Sequence, residues 1–360
     1  MVVVVVVLIV VVVVVFVVAV VIVLVVVCIA VVIVLVVVVA CVVVVVVIDI
    51  VVLIWGRNQS VVDEINTVHT NQNSLPALVL PTKLRATSDI SAAFAHSQLI
   101  VLAIPAQSLR ANLKAWKGLI NKDVPIVSSL KGVEVSTQLR MTEVVQEVLD
   151  YPEEKLAIIT GPNLAREVVL RQPTGAVAAS TSQVLADLTA KTFSAPYFRV
   201  YTSNDVIGCE LAGAAKNVIA LAVGMSIGMG FGENTQALVI TRGLNELTRL
   251  GMARGAMPLT FVGLAGVGDL LATCGSPLSR NRSFGEALGR TGSMASAQAE
   301  ARSTVEGVST ASAVVELAHL VGIEAPIMEA VKDVVNNTIS PQQAIVGLMK
   351  IHTGAEIDHV

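Results

Sequence analysis

Apolar side chains run unbroken from Val2 to Ile48, with no charge, Gly, Pro, Ser, Thr or Asn, and Asp49 is the first charged side chain. Beyond it the apolar positions fall into short runs: VVLIWGR at 51–57, SQLIVLAIP at 97–105, VPIVSSLKG at 124–132 and LAIITGPN at 156–163. Each run closes on Pro, Gly or a polar residue, as strands buried in a parallel sheet do. Between them, 106–119 and 136–150 carry apolar residues at helical spacing, so strands and helices alternate as in a doubly wound α/β sheet. AVAAS at 176–180 and YFRVYTS at 197–203 extend that sheet. Ligands of such sheets bind beyond the carboxyl ends of the strands, which sets Pro105, Lys131 and Gly161 at the expected ligand edge.

After Asn204 the spacing becomes helical throughout. A small-residue-rich helix starts at an Asn204 or Asp205 cap, and 232–255, 283–290, 310–322 and 326–337 follow with apolar residues at i, i+3 and i+4. The predicted fold is α/β, a doubly wound sheet followed by an all-α C-terminal domain. The domains are expected at 1–203, of which 1–50 is an atypical apolar tract, and at 204–360.

At 360 residues the chain suits two domains of ordinary size. A mean hydropathy of +0.79 would suggest a membrane protein, but the excess lies in the first 54 residues. That tract is long enough for two membrane helices of about 20 residues each. It lacks the turn a hairpin needs, and it has neither the basic flank nor the cleavage site of a signal peptide. Valine favours strands over helices. The tract therefore reads as an altered or artificial segment, a degenerate strand-helix-strand unit or a membrane anchor, and membrane association is not expected. A net charge of −3 gives no field to recruit nucleic acid, so any phosphate site must be local. Cys28, Cys41, Cys209 and Cys274 form no CxxC pair, and His69, His96, His319, His352 and His359 show no triad or metal spacing. No metal is expected, and the compartment is read as a reducing cytoplasm.

Lys216 sits in the middle of a small, apolar helix. An ammonium there must reach an anion, titrate low or snorkel to the surface, and the adjacent Asn217 argues against the last. Lys131, just past a strand end, is either a loop charge or a ligand contact. The segment 263–285 concentrates glycines, Asp269, hydroxyls, Arg280 and Arg282. Ser279, Arg280, Asn281 and Arg282 are able to hold a phosphate at a helix N-terminus or simply to cap that helix. Asp269 either orients a lysine or serves as an N-cap.

SLKGVE at 129–134, GPNLAREV at 161–168, LAGAAKNVIA at 211–220, TRGLNEL at 241–247, GLAGVGDLLATC at 263–274, SRNRSFG at 279–285 and VEG at 305–307 together resemble the bacterial-type NAD(P)-dependent glycerol-3-phosphate dehydrogenases. The resemblance covers about Val51 to residue 345. It implies a Rossmann-like dinucleotide domain and reversible reduction of dihydroxyacetone phosphate to sn-glycerol 3-phosphate, supplying glycerophospholipid synthesis. It makes Lys216 the proton acceptor and Lys131 a contact to cofactor and substrate, with Asp269 positioning Lys216 or the substrate hydroxyls. Gly161, Asn163, Ser279, Arg280 and Asn281 would contact substrate; Asn163 stands where the family has a hydroxyl residue. Arg57, Lys131, Ala165, Arg280, Thr304 and Glu306 would contact the cofactor. A small-molecule substrate is the expected partner, and a homodimer is allowed.

The resemblance fails at the front. Counted back from Trp55, the family's GxGxxG falls on Ile33, Leu35 and Val38, where side chains would block backbone approach to a pyrophosphate. Weak dinucleotide binding is therefore expected. The second reading is an impaired homologue that lacks the glycine loop and carries an apolar membrane or aggregation segment. Arg57 stands where an acidic residue would hold the NAD ribose, which favours NADP, with NAD also accepted.

Overall fold

The computed structural model describes the backbone of residues 32–37 and residues 51–95, 97–301 and 305–350. Eight strands form one sheet: β1 (Val32–Val37), β2 (Val51–Trp55), β3 (Arg85–Thr87), β4 (Leu99–Ala103), β5 (Ile126–Ser128), β6 (Leu156–Thr160), β7 (Thr174–Ala179) and β8 (Phe198–Ser203), in the order β3-β2-β1-β4-β5-β6-β7-β8. β4 and β6 are buried at every position, which is why their sequences are continuous apolar runs rather than alternating ones. The chain reverses direction across the sheet between β1 and β4, and that switch point opens the ligand crevice.

Two features go beyond the pattern of apolar runs. β3, three residues long, was not legible as a strand. β6 and β7 pair antiparallel, through a connection holding only the one-turn helix Ala165–Val169. An antiparallel return needs no long crossover, whereas β7 and β8 are parallel and are joined by the full helix Gln183–Phe193.

β1 pairs with β2 from Val32↔Val51 and with β4 from Ile33↔Leu99. Ile33 and Leu35 therefore lie inside the strand, not in the loop after it where a phosphate-binding turn belongs. Val38 lies outside the described residues.

Helices make up the rest. Val206–Gly228 is apolar on all sides and buried along nearly its whole length, with Asp205 as its N-cap accepting from the Gly208 N–H at 2.8 Å. It and Pro258–Gly275 are the two described helical stretches with the length and hydropathy of a membrane span, and burial of the first is the ordinary state of a core helix. Glu233–Ala253, Arg280–Thr291, Glu306–Leu320 and Pro326–Val335 pack around it.

The glycines on its flank explain how closely. A Cβ on Gly224 would lie 2.1 Å from the Arg282 carbonyl oxygen, and one on Gly285 would lie 2.2 Å from that of Leu221. Backbone therefore meets backbone along this seam, and the start of Arg280–Thr291 is drawn against Asn217.

Candidate active site

The buried charges converge where the helical domain meets the carboxyl edge of the sheet. Asp269 opens the helix Asp269–Gly275, directly after one π-helical turn at Leu264–Gly268. π-helical turns are frequent at functional sites. Asp269 is not the N-cap of that helix. Its carboxylate is shared between two lysines: Lys216 Nζ donates to Oδ1 at 2.5 Å and Lys131 Nζ donates to Oδ2 at 2.8 Å. The Lys216 and Asp269 side chains are only 7% and 3% exposed, so the pair is desolvated and the lysine does not snorkel.

Donor counting separates the two lysines. An ammonium has three N–H donors. Lys131 engages three acceptors, namely Asp269, the Gly161 carbonyl at 3.0 Å and Asn163 Oδ1 at 3.0 Å. Lys216 engages two, Asp269 and Thr273 Oγ1 at 2.8 Å. One Lys216 donor is left for a further acceptor.

Gly161 delivers its carbonyl from φ 131°, in the left-handed region, and a Cβ there would come within 3.0 Å of Ala176 Cα. Thr273 follows Asp269 by one helical turn, and its hydroxyl donates to the Asp269 carbonyl at 2.6 Å. Thr273 was not singled out from the sequence. The signal was present as Asp and Thr at i, i+4 on one helix face.

Burial lowers the Lys216 ammonium to about 8, against the opposing pull of Asp269 and with the push of Lys131. Burial alone would raise Asp269, but Lys131 and Lys216 outweigh it and hold the carboxyl below its ordinary range. Burial likewise raises Glu306, opposed by Arg280, Lys131 and Lys216, so all four charges share one neighbourhood.

Asn217 and Asn281 build a relay beside these charges. Asn217 Nδ2 donates to the Lys131 carbonyl at 3.3 Å, Asn281 Nδ2 donates to Asn217 Oδ1 at 3.0 Å, and the Gly307 N–H donates to Asn281 Oδ1 at 2.9 Å. Ser279 caps Arg280–Thr291, its hydroxyl accepting from the Arg282 N–H at 3.3 Å, and Arg280 is exposed at the first position of that helix. Helix N-termini of this kind bind anions.

Ala165 starts its short helix two residues after Asn163. Arg57 lies apart, at the end of β2, with its guanidinium 5.9 Å from the Trp55 ring centroid and donating to Asn112 Oδ1. Thr304 lies outside the described residues. His319 pairs with Glu329 at the surface, and His96, His352 and His359 are outside the described residues.

The residues around the crevice fit a phosphorylated dinucleotide. Arg57 carries an exposed guanidinium beside the Trp55 indole, the kind of charge that suits a ribose 2′-phosphate. Lys131, Arg280 and Glu306 are grouped with Lys216. A Cβ on Gly132 would lie 2.8 Å from Ala106 Cβ, so the loops after β5 and β4 touch and wall the crevice.

The sequence profile described as NAD-dependent glycerol-3-phosphate dehydrogenase N-terminus matches residues 31–186, and the corresponding C-terminus profile matches residues 205–346. A glycerol-3-phosphate dehydrogenase [NAD(P)+] from Thermobifida fusca is 48% identical over 297 residues, covering 82% of this chain and 88% of that protein. One from Corynebacterium jeikeium is 49% identical over 299 residues, covering 83% and 90%. The crystal structure of a glycerol-3-phosphate dehydrogenase from Coxiella burnetii superposes with a TM-score of 0.79 at 34% identity, covering 83% of this chain and 91% of that one. The N-terminus profile includes the last part of the valine tract, and the likenesses give the impaired-homologue reading no support.

Proposed function

Since the chain belongs to the NAD-dependent glycerol-3-phosphate dehydrogenase family, we propose that its reaction is carried by Lys216, with Asp269 and Lys131 holding it in place. The reaction is the reversible reduction of dihydroxyacetone phosphate to sn-glycerol 3-phosphate with NAD(P)H. The bound nicotinamide supplies or takes the hydride at C2. The observation that carries the residue assignment is the buried Lys216–Asp269–Lys131 cluster, in which one ammonium keeps a donor to spare.

In reduction, the third N–H of Lys216 reaches the ketone oxygen, polarises it and delivers a proton as alkoxide character develops. Asp269 and Thr273 fix the other two N–H bonds, so the free one has a set direction. In oxidation the neutral amine accepts the C2 hydroxyl proton. Lys131 acts on the substrate chiefly through its charge; a direct bond requires it to release one of its three acceptors, and the Asn163 side chain is the most easily displaced. Gly161 and Asn163 line the substrate side of Lys131.

Ser279, Arg280 and Asn281 hold the phosphate at the N-terminus of Arg280–Thr291, with the helix dipole assisting. Asn281 contributes its second Nδ2 hydrogen, the first being engaged by Asn217. Arg57, Lys131, Ala165, Arg280, Thr304 and Glu306 face the cofactor, with NADP preferred and NAD accepted. The domains divide at 1–203 and 204–360, and both contribute residues to the substrate and cofactor sites. We take the enzyme to be cytoplasmic, to supply glycerophospholipid synthesis and to act without nucleic acid or membrane. A homodimer is the assembly that sedimentation would test.

Two measurements examine this reading. With Lys216 at about 8, the protonated form needed for reduction is complete below that pH and lost above it. kcat/KM for reduction should therefore be flat in acid and fall through about 8, while kcat/KM for oxidation should rise through the same point. Profiles that run in the same direction would reject Lys216 as the proton carrier. Separately, Arg57→Ala should lower kcat/KM with NADPH about tenfold, the worth of a charge-assisted hydrogen bond, and leave NADH within about threefold. Equal losses with both cofactors would remove Arg57 from the 2′-phosphate site.

A further inference from the structure

We propose that Gln107 is a positioning residue for the reaction: its amide locks the backbone at Val133–Val135 and so keeps Lys131 seated on Asp269. The proposal rests on the roles given above to Lys131 and Lys216.

Lys131 lies three residues past the end of β5, in a stretch without regular structure until the helix Met141–Leu149. A lysine stem loses up to about 2 kcal/mol of rotamer freedom when its head is fixed. A head held on three acceptors at once therefore needs a fixed Cα.

Upstream, the Ser129 N–H and hydroxyl both donate to the Leu102 carbonyl at 2.9 Å, and at the lysine itself Asn217 holds the carbonyl oxygen. Downstream, the Gln107 amide performs both halves of a strand-like pairing. Its Nε2 donates to the Val133 carbonyl at 2.8 Å and its Oε1 accepts from the Val135 N–H at 3.0 Å. Arg110, one turn later, donates to the buried Glu134 carboxylate at 2.9 Å from both Nε and Nη2. The segment after β4 thus grips three consecutive residues of the lysine loop, and the near contact of Gly132 with Ala106 leaves no slack between them.

Gln107 is exposed, whereas Arg110 and Glu134 form a partly buried ion pair. Removing the Gln107 amide therefore tests the loop without opening the core.

Lys131 is also one of the two charges nearest Lys216, and its push is part of what lowers that ammonium. If Lys131 drifts away, Lys216 should regain protons at higher pH. A merely structural glutamine would have no such effect. Gln107→Met keeps the length and loses both bonds. Gln107→Glu keeps the acceptor but turns a carboxylate oxygen toward the Val133 carbonyl.

In both variants the Kd for sn-glycerol 3-phosphate, measured by calorimetry without cofactor, should weaken about tenfold as the Lys131 charge moves away from the substrate. The inflection in kcat/KM for reduction should move upward by about half a unit as the like charge recedes. The thermal midpoint should stay within about 2 °C because no core contact is lost. Unchanged affinity with an unmoved inflection overturns the proposal. So does a fall in thermal midpoint with every constant lowered together. Lys131→Met, measured alongside, separates the levels: if it binds substrate as the parent does, the site reading fails too, and if it alone is impaired, only the role of Gln107 fails.

Discussion

Lys216→Met should reduce kcat in both directions by about 10²- to 10⁴-fold, the usual worth of a positioned proton donor and acceptor. Methionine nearly matches the lysine stem in volume, and because Asp269 keeps Lys131 as a charged partner the cost should stay below the ~3–5 kcal/mol of a fully broken buried pair. The protein should therefore remain folded, with Asp269 still held by Lys131. The KM for NADPH should change little, because among the described residues Lys216 donates its hydrogen bonds to Asp269 and Thr273. Initial rates in both directions, with circular dichroism as a folding control, check this result. A variant retaining a tenth or more of the parent kcat would transfer the proton-handling role to another group.

Asp269→Asn carries the largest expected effect on stability as well as on rate. The carboxylate is 3% exposed and lies between two ammonium groups. An amide removes the negative charge that, among the described residues, is bonded to both, and leaves two like charges facing each other. Breaking a buried pair in this way costs about 3–5 kcal/mol, which urea unfolding would register. Asp269 is also what raises the Lys216 ammonium against the effect of burial. Without it Lys216 is neutral at lower pH, so the fall in kcat/KM for reduction should shift below about 8 and the residual rate at neutral pH should be small. An unshifted profile with full stability would mean that Asp269 does not govern Lys216.

The relation between these residues was only partly readable along the chain. The strand-and-helix alternation, the ligand edge at Lys131 and Gly161, and the anomaly of a lysine in an apolar helix all follow from local periodicity and from the cost of burying a charge. The choice among readings of Lys216 did not. Its acceptor, Asp269, is 53 residues away, and Asp269 is 138 residues from Lys131, so no local pattern joins them. Asp269 at the start of a helix looked equally like a cap until the fold turned its carboxylate toward the lysines.

Position along the valine tract shows the opposite difficulty. A run of nearly identical apolar residues carries no alternation to set register, so the strand could not be located by pattern. Counting back from Trp55 set the glycine positions at Ile33 and Leu35, and pairing with β2 and β4 sets those residues within β1.

The sequence by itself determined the class of sheet, the helical second half and most of the residue types that the chemistry requires, because periodicity and buried charge are properties of short segments. The tertiary structure alone decided which of those residues act together. It set one carboxylate between two lysines, left one of the two with a free donor and clamped the loop of the other through Gln107. These are consequences of distance between segments remote in the chain, and a hydrogen bond exists only where packing brings donor and acceptor within about 3 Å.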